Sequence, residues 1–527
     1  MALNSRVLRN AKLNKFNLSH THTTSADMGY LFPVDCLEVL PGDWFRIRDE
    51  YLVRFMATLA PVMHIFNVSL HWWFIPTRLP WKNWQDFITG GQDGENASIP
   101  PTITAPVGGF AVGSLANRFG APAGVAGIKV SALPFRCYAL IYNEWYRNEW
   151  LQEKLPVSLE DGNDTTTNTE IQKRLWNRDY FTDALPSPQK GPAVSIPLGG
   201  SAPVLGTGKA LGLRGYSDAT ELTSGLIWNP SLGLSAQGPS GQSVGSGASS
   251  VLPSWTPMTY LGVSKNPAES GLQVDLSTAS AVTINQLRNA AAVQQFQEAN
   301  GLFGNRYSEF IPAQYGVYCP DASLQRPQYV GGMTSPMVIS EVLQTSATDS
   351  TSPQGNMAGH GVSAGLSDEI RFRATEFGYL MCLMSIMPRT SYYQGIPRWM
   401  SRETRYDYAI PVFAHIGEQG IKNKELYADG TAADDEVFGY APRYEEYRRI
   451  PNAVTGQLTS TLSFWTAARK FANRPTLNSE FVECTPTTSI FAVEDQPNDD
   501  HLVIQVAHHI RALRPLPAQG QPGMHII

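Results

Sequence analysis

A GxSxG pattern is the first group of residues in this sequence that could do chemistry. Gly361-Val362-Ser363-Ala364-Gly365 matches the nucleophile elbow of serine hydrolases. That site needs an apolar strand directly before the serine and a helix after it, whereas Gly355-Asn356-Met357-Ala358-Gly359-His360 precedes it here. The pattern therefore favours a flexible loop over a hydrolase site.

A glycine-rich stretch offers a second possibility, a phosphate-binding loop. Gly206-Thr207-Gly208-Lys209 has the lysine of such a loop, but Pro203 stands at the position of its first glycine. Ala210 replaces the serine or threonine that would bind magnesium. The sequence thus predicts neither a nucleotide site nor a catalytic residue, and it indicates no cofactor.

Metal sites are also disfavoured by the spacing of the possible ligands. His20 and His22 are two apart and His508 and His509 are adjacent, but neither pair has a third histidine, cysteine or carboxylate at ligand spacing along the chain. The acidic residues of 494–500 lack the glycine and terminal glutamate of a calcium loop. The sequence predicts no metal ion.

The five cysteines and the distribution of apolar residues bear on the compartment. The cysteines are odd in number, far apart and without a CxxC pair, which is typical of reduced core residues. Residues 1–18 lack the apolar block of a signal peptide, and no later stretch approaches the roughly 20 apolar residues that span a bilayer. We expect a chain made in a reducing cytoplasm, without membrane insertion.

Charge is the property that restricts contact with nucleic acid. The formal net charge is −6, so the chain as a whole cannot wrap nucleic acid as a polycation does. Residues 1–26 contain four basic residues and no acid. These residues are Arg6, Arg9, Lys12 and Lys15. They predict a basic N-terminal arm that contacts phosphates without reading sequence, the alternative being a frayed, solvated terminus.

Strand and helix patterns are spread over the whole chain. Residues 45–55 alternate with period two, with Phe45, Ile47, Tyr51, Val53 and Phe55 on the apolar face and Arg46, Arg48, Glu50 and Arg54 on the other. Strand-like runs also cover 62–75, 376–387, 409–416 and 501–513. Helical spacing occurs at 81–88, 136–151 and 284–298.

One long segment differs from the rest in composition. Residues 198–282 hold 14 Gly, 15 Ser and 6 Pro but only seven charged residues. This composition predicts a projecting insertion of turns and short strands, the alternative being a disordered linker. The first part of the core would then be 27–197, and the remainder 283–527. Strands that come from both ends of the chain, before and after such an insertion, are typical of a mainly β, Greek-key sandwich such as a jelly roll.

A set of short motifs resembles the coat proteins of the Microviridae, especially the gokushovirus group. The motifs occur in the family's order outside the 198–282 insertion. They include VLPGD at 39–43, LAPVMH at 59–64, FIPTR at 74–78, LPFR at 133–136, IYNEW at 141–145, YFTDALP at 180–186, RYSE at 306–309, QGIPR at 394–398 and FGY at 438–440. The ordered set carries the resemblance, since any one of the motifs alone would be weak.

The resemblance implies a structural shell subunit and not an enzyme. It implies an eight-stranded antiparallel jelly roll with large loop and helical insertions, sixty copies of which form a T=1 shell around circular single-stranded DNA in a virion. It also implies an internal scaffolding protein, a small basic DNA-binding protein and a DNA-pilot protein as partners. The 198–282 insertion would form protrusions, to which we assign binding of a host cell-surface receptor.

A strip of aromatic and arginine residues is the candidate subunit interface, because interface cores favour Tyr, Trp, Phe, Met and Arg. Its members are Tyr392, Tyr393, Arg398, Trp399, Arg402, Arg405 and Tyr406, and the neighbouring Met400 and Tyr408 extend it. Ordinary core packing is the alternative for this strip. For the whole protein, the alternatives are a secreted carbohydrate-binding sandwich or adhesin, and a hydrolase that uses Ser363.

Overall fold

The computed structural model describes residues 13–195, 204–207, 213–217, 220–221, 226–229, 233–236, 260–263, 272–274, 283–304, 306–343, 357–492 and 500–519. The chain divides into two compact units. One comprises Met1–Lys190 with Glu298–Ile527, and the other comprises Gly191–Gln297. The predicted insertion at 198–282 falls inside the second unit.

Strands supply most of the regular structure. In the first unit they are β1 (Asn14–Asn17), β2 (His20–Ala26), β3 (Tyr30–Val39), β4 (Trp44–Phe55), β5 (Phe66–Pro76), β6 (Thr102–Thr104), β7 (Lys129–Ser131), β8 (Gln172–Lys173), β16 (Gln328–Leu343), β17 (Met357–Leu366), β18 (Ile370–Arg373), β19 (Gly378–Pro388), β20 (Glu418–Lys422), β21 (Val437–Pro442) and β22 (Leu502–Arg514). In the second unit they are β9 (Val204–Gly206), β10 (Leu213–Ser217), β11 (Thr220–Glu221), β12 (Leu226–Asn229), β13 (Gly233–Ala236), β14 (Tyr260–Val263) and β15 (Leu272–Val274).

Helices are mostly short. The α-helices are α1 (Trp84–Thr89), α2 (Leu115–Arg118), α3 (Leu133–Ile141), α4 (Ile284–Phe303), α5 (Tyr307–Tyr315), α6 (Asn423–Leu426) and α7 (Ser479–Val482), and a π-helical turn, Tyr142–Tyr146, continues α3. Single 3₁₀ turns occupy Arg398–Met400, Arg405–Asp407, Pro411–His415, Ala432–Asp435, Glu445–Tyr447, Gly456–Thr459 and Ser463–Trp465. No helix of the described ranges is both long and apolar enough to cross a membrane.

The eight longest strands of the framework pair in one antiparallel path. Its order is β2-β22-β4-β17-β16-β5-β19-β3. The long strand β16 pairs with β5 through its first part and with β17 through its second, so it passes from one half of the path to the other. Side chains of the two halves meet in one buried cluster, among them Phe45, Val53, Ile504 and Trp72. The fold is therefore the predicted mainly β sandwich of eight antiparallel strands.

Burial explains why the strand patterns differ. Every second side chain of β4 is buried, from Phe45 to Phe55, because one face of the strand packs on the core and the other is exposed to solvent. In contrast, β5 and β19 are covered on both faces, since Trp73, Ile75 and Met381 pack on a second cluster that includes residues of α3. The period-two strand at 45–55 was predicted correctly, whereas the strand predicted at 62–75 begins four residues later, at Phe66, and ends at Pro76.

Some predicted elements have different limits or types. The helix predicted at 136–151 begins at Leu133 and ends with the π turn at Tyr146, and the helix predicted at 284–298 continues to Phe303. The strand predicted at 409–416 is wrong: Pro411–His415 is a 3₁₀ turn with Val412 79% exposed. Pro411 lacks the N–H that a central strand needs, which is the physical reason.

Ser363 lies inside strand β17 and not in the predicted flexible loop. Its side chain is buried, and its hydroxyl lies 3.2 Å from the Tyr51 hydroxyl and 3.3 Å from the Pro336 carbonyl oxygen. A nucleophile elbow is a strand-to-helix turn with an exposed serine. Both the strand and the burial differ from that arrangement.

Candidate nucleic-acid and subunit-contact surfaces

The outer face of the first half of the sheet is strongly basic. Strand β22 lies between β1 and β4, and β18 pairs with β4 on its other side. Paired residues of neighbouring strands point to the same face, so each register position gives a row of side chains across the sheet. Alternation along β4 and β22 buries the apolar row and leaves the basic one in solvent.

Three arginines stand side by side in one such row. Arg46 of β4 is directly opposite Arg511 of β22 on one side and Arg371 of β18 on the other, and all three are exposed. Arg371 has an acidic partner, with its Nε 2.6 Å from Glu369 Oε1. Like charges directly opposite each other destabilise a sheet, and an anion lying across the row would offset that repulsion.

The neighbouring row adds a lysine and an aromatic ring. Lys15 of β1 pairs with Leu513, which pairs with Trp44, which in turn pairs with Arg373. Trp44 is 45% exposed, and the Arg373 guanidinium lies over its ring at 5.6 Å. Exposed aromatic rings among cations are the features with which proteins bind single-stranded nucleic acid, through base stacking and phosphate contacts.

We define the basic face as Lys15, Trp44, Arg46, Arg48, Arg371, Arg373 and Arg511. Of the predicted nucleic-acid residues, Lys15 is part of it, in strand β1. Arg6, Arg9 and Lys12 lie outside the described residues. The sequence assigned Arg46 and Arg48 to the exposed face of a strand but gave no reason to join them to Arg511. A signal was present, since 502–514 also alternates and places His509 and Arg511 on its exposed side.

The predicted subunit-contact strip separates into buried and exposed parts. Tyr392 is buried, and its hydroxyl donates to Asp179 Oδ2 at 2.7 Å. Arg398 donates to Glu425 Oε1 at 3.1 Å, and Arg402 lies 3.6 Å from Glu446 Oε1. These residues pack inside the framework, which is the alternative that the sequence left open for them.

Most of the remaining strip residues are exposed to solvent. Trp399 is 67% exposed and Tyr406 49% exposed, and Arg405 lies over the Tyr406 ring. Tyr393 is half-buried. Further exposed apolar side chains in the same stretch of chain are Met400, Tyr408, Val412 and Ile416. Exposed apolar side chains that group on a surface mark interaction sites, so this stretch is the candidate contact. We call Trp399, Met400, Tyr406, Tyr408, Val412 and Ile416 the apolar strip.

The comparisons with known proteins agree with this architecture. The chain matches the capsid protein (F protein) family over residues 5–524. It is 36% identical to capsid protein VP1 of Chlamydia phage 1, covering 98% of this chain and 96% of that protein. It is 36% identical to capsid protein VP1 of Bdellovibrio phage phiMH2K, over 97% and 95% of the two chains, and 30% identical to that of Spiroplasma virus 4, over 98% and 96%. The chain therefore belongs to the phage F-protein family of capsid proteins, as its resemblance to the Microviridae indicates.

Proposed function

We propose that sixty copies of this chain close into a T=1 shell around a circular single-stranded DNA genome, with the basic face turned to the interior. The observation that supports the DNA contact is the row Arg511–Arg46–Arg371. No acid lies within ion-pair distance of Arg46, Arg48 or Arg511 among the described residues. The Glu369 carboxylate interacts electrostatically with Arg46 and Arg48 and offsets part of their charge. The remaining positive charge is available to a polyanion, although the chain as a whole is acidic.

The predicted basic arm shares one residue with the basic face. Lys15 on β1 is already part of the basic face, and Arg6, Arg9 and Lys12 precede it in the chain. We assign all four to phosphate contacts that do not depend on base sequence. Because the total charge is negative, the small basic DNA-binding protein would supply most of the neutralisation of the genome.

For the contacts between subunits we propose the apolar strip as one edge. Burying Trp399 and its neighbours against another copy removes exposed aromatic surface from water, which is the term that stabilises most subunit contacts. An internal scaffolding protein would hold the copies during assembly in the host cytoplasm, and a DNA-pilot protein would complete the virion. The insertion at 198–282 would bind a host cell-surface receptor.

Electron microscopy and sedimentation of the purified chain would test the shell. For this test the chain is expressed in the cytoplasm of bacteria in two preparations, one alone and one together with the internal scaffolding protein of the same phage. We expect uniform closed particles in at least one preparation. Monomers or irregular aggregates in both preparations would contradict shell formation. Protease removal of the 198–282 segment from assembled particles should abolish adsorption to host cells, and intact adsorption would contradict the receptor assignment.

A further inference from the structure

Two histidines and a carboxylate meet where strands β2 and β3 face each other. His20 of β2 is directly opposite His508 of β22, and Asp35 comes from β3, at the other end of the eight-strand path. One nitrogen of each imidazole and one oxygen of Asp35 all lie within 4.8 Å of one another. The sequence did not indicate this cluster, because its three residues are brought together only by the closing of the sandwich.

A hydrogen bond from one ring nitrogen holds His508 in a fixed orientation, and the other ring nitrogen is available to a ligand. The residue is fully buried, and its Nδ1 lies 2.7 Å from Asp49 Oδ1. The second oxygen of Asp49 accepts the Trp72 indole N–H at 2.6 Å. Since the carboxylate accepts from Nδ1, the lone pair is on Nε2, which has no hydrogen-bond partner within the described part of the chain. Leaving such a buried nitrogen unpaired destabilises the fold, whereas a bound ligand would satisfy it.

Asp35, the carboxylate of the cluster, also has an oxygen that is left unpaired. Its Oδ1 accepts the Cys36 backbone N–H at 2.8 Å, while the buried Oδ2 finds no partner among the residues described. Burial raises the pKa of the Asp35 carboxyl, against the opposing effect of His508 and His20. A register shift between β3 and β19 falls beside Asp35. Such bulges commonly direct a side chain toward a functional site.

His20 presents a free lone pair from the edge of the sheet. Its Nδ1 lies 2.9 Å from the Leu18 carbonyl oxygen, so Nδ1 donates and Nε2 remains as an acceptor. That Nε2 is 3.5 Å from Asp35 Oδ1. The side chain is 41% exposed, which gives an ion a path from solvent to the buried atoms.

We propose that His20, Asp35 and His508 bind one divalent transition-metal ion, with zinc as the best-suited ion. Two imidazoles and a carboxylate are zinc ligands, and a site with three protein ligands keeps a position for water. An imidazole whose other nitrogen donates to a carboxylate, as His508 does to Asp49, is the usual arrangement of a metal-binding histidine. Asp49 and Trp72 are thus positioning residues.

The metal ion would connect strands β2 and β3. Strands β2 and β3 are consecutive in the chain, yet no ladder joins them in the described pairings. A metal bonded at about 2.0–2.2 Å to each ligand would draw the three atoms together, with the half-exposed His20 making most of the movement. It would join β2, which already pairs with β22, directly to β3 as well.

Metal binding to the full-length chain tests the proposal. The protein is stripped with a chelator, loaded with Zn²⁺, passed over a desalting column and analysed for retained metal. We expect one zinc per chain for wild type and at least a tenfold loss of affinity for His20→Gln and for Asp35→Asn. His509→Gln is the matched control, because His509 is the adjacent histidine but lies on the outer face, 3.4 Å from Glu50.

Two further measurements keep the result unambiguous if a variant folds poorly. Co²⁺ loaded into wild type should give the visible absorption of a low-coordinate site containing nitrogen, and Zn²⁺ should abolish it. Hydrogen exchange of the β2 amides should slow on adding Zn²⁺ to wild type and the His509→Gln variant only. Wild type that retains no more zinc than His20→Gln, with unchanged β2 exchange, would overturn the site and leave a hydrogen-bonded histidine pair in its place.

Discussion

Arg46 and Arg511 lie directly opposite each other on neighbouring strands, both exposed, with Arg371 next to Arg46 on its other side. Such a pair costs the sheet stability, so its effects on stability and on DNA binding should have opposite signs. A substitution that raises stability but weakens DNA binding would therefore distinguish a binding surface from an ordinary solvated surface.

Replacing both arginines by glutamine should weaken binding of a short single-stranded oligonucleotide without destabilising the chain. The slope of log K against log salt should become less steep by about 1.4, since each phosphate contact to a single strand contributes about 0.7. Fluorescence anisotropy at several salt concentrations measures the slope, and thermal unfolding measures stability. Arg178→Gln with Arg448→Gln removes the same charge elsewhere on the framework and should leave the slope unchanged.

Trp399→Ala should impair shell assembly while leaving the isolated chain folded. The side chain is 67% exposed, so its loss removes little packing from one copy. A buried tryptophan at a subunit interface commonly contributes about 2 kcal/mol or more, so its loss should raise the concentration needed for assembly by about thirtyfold or more. Light scattering against concentration gives that threshold. Val107→Ala, at a 97% exposed apolar site outside the apolar strip, is the control; an equal threshold for both variants would exclude Trp399 from the contact.

The Asp164→Asn variant should lose less stability than wild type as the pH falls. Asp164 is buried with Arg136, whose Nε is 2.8 Å from its Oδ2. Burial alone would raise the pKa of this carboxyl, but hydrogen bonds from Thr167 and Arg136 outweigh burial and hold the pKa below its ordinary value. A carboxyl with a depressed folded-state pKa stabilises the fold above its unfolded pKa of about 4, and the contribution is lost as pH falls through the folded pKa.

Urea unfolding from pH 7 to pH 3 measures this effect. Wild type should lose stability over the acid part of the range, and Asp164→Asn should be less stable at pH 7 by about 3–5 kcal/mol and less dependent on pH. The exposed Asp93→Asn variant should follow wild type. Equal slopes for wild type and Asp164→Asn would show that this ion pair does not contribute to acid sensitivity.

Gly395→Ala should destabilise the fold. A Cβ at this position would overlap the backbone carbonyl oxygen of Glu425, and backbone cannot rotate away as a side chain can. Overpacking of this kind costs about 1–3 kcal/mol. Gly108→Ala provides the comparison, because a Cβ there meets nothing within 4 Å. Thermal unfolding of the two variants should differ, and a Gly395→Ala midpoint equal to that of Gly108→Ala would contradict the close approach.

The sequence predicted the strands whose two faces differ, and it was least informative where contacts join distant segments. Strand β4 was evident because one face is solvated, and β22 for the same reason. The apolar run at 409–416 gave the same kind of signal as a strand, although its side chains are largely in solvent. The basic face and the histidine cluster depend on pairing between residues near both ends of the chain, which local periodicity cannot reveal.

The position of β22 has a consequence for protein synthesis. This strand pairs with β2 and β4, which the ribosome makes at the start of the chain, but it emerges only after all the intervening segments. At about 5–20 residues per second, the early strands wait on the order of tens of seconds for their partner. A nascent or prematurely terminated chain therefore lacks both Arg511 and the completed sheet, so only chains translated through β22 carry the full basic face into assembly.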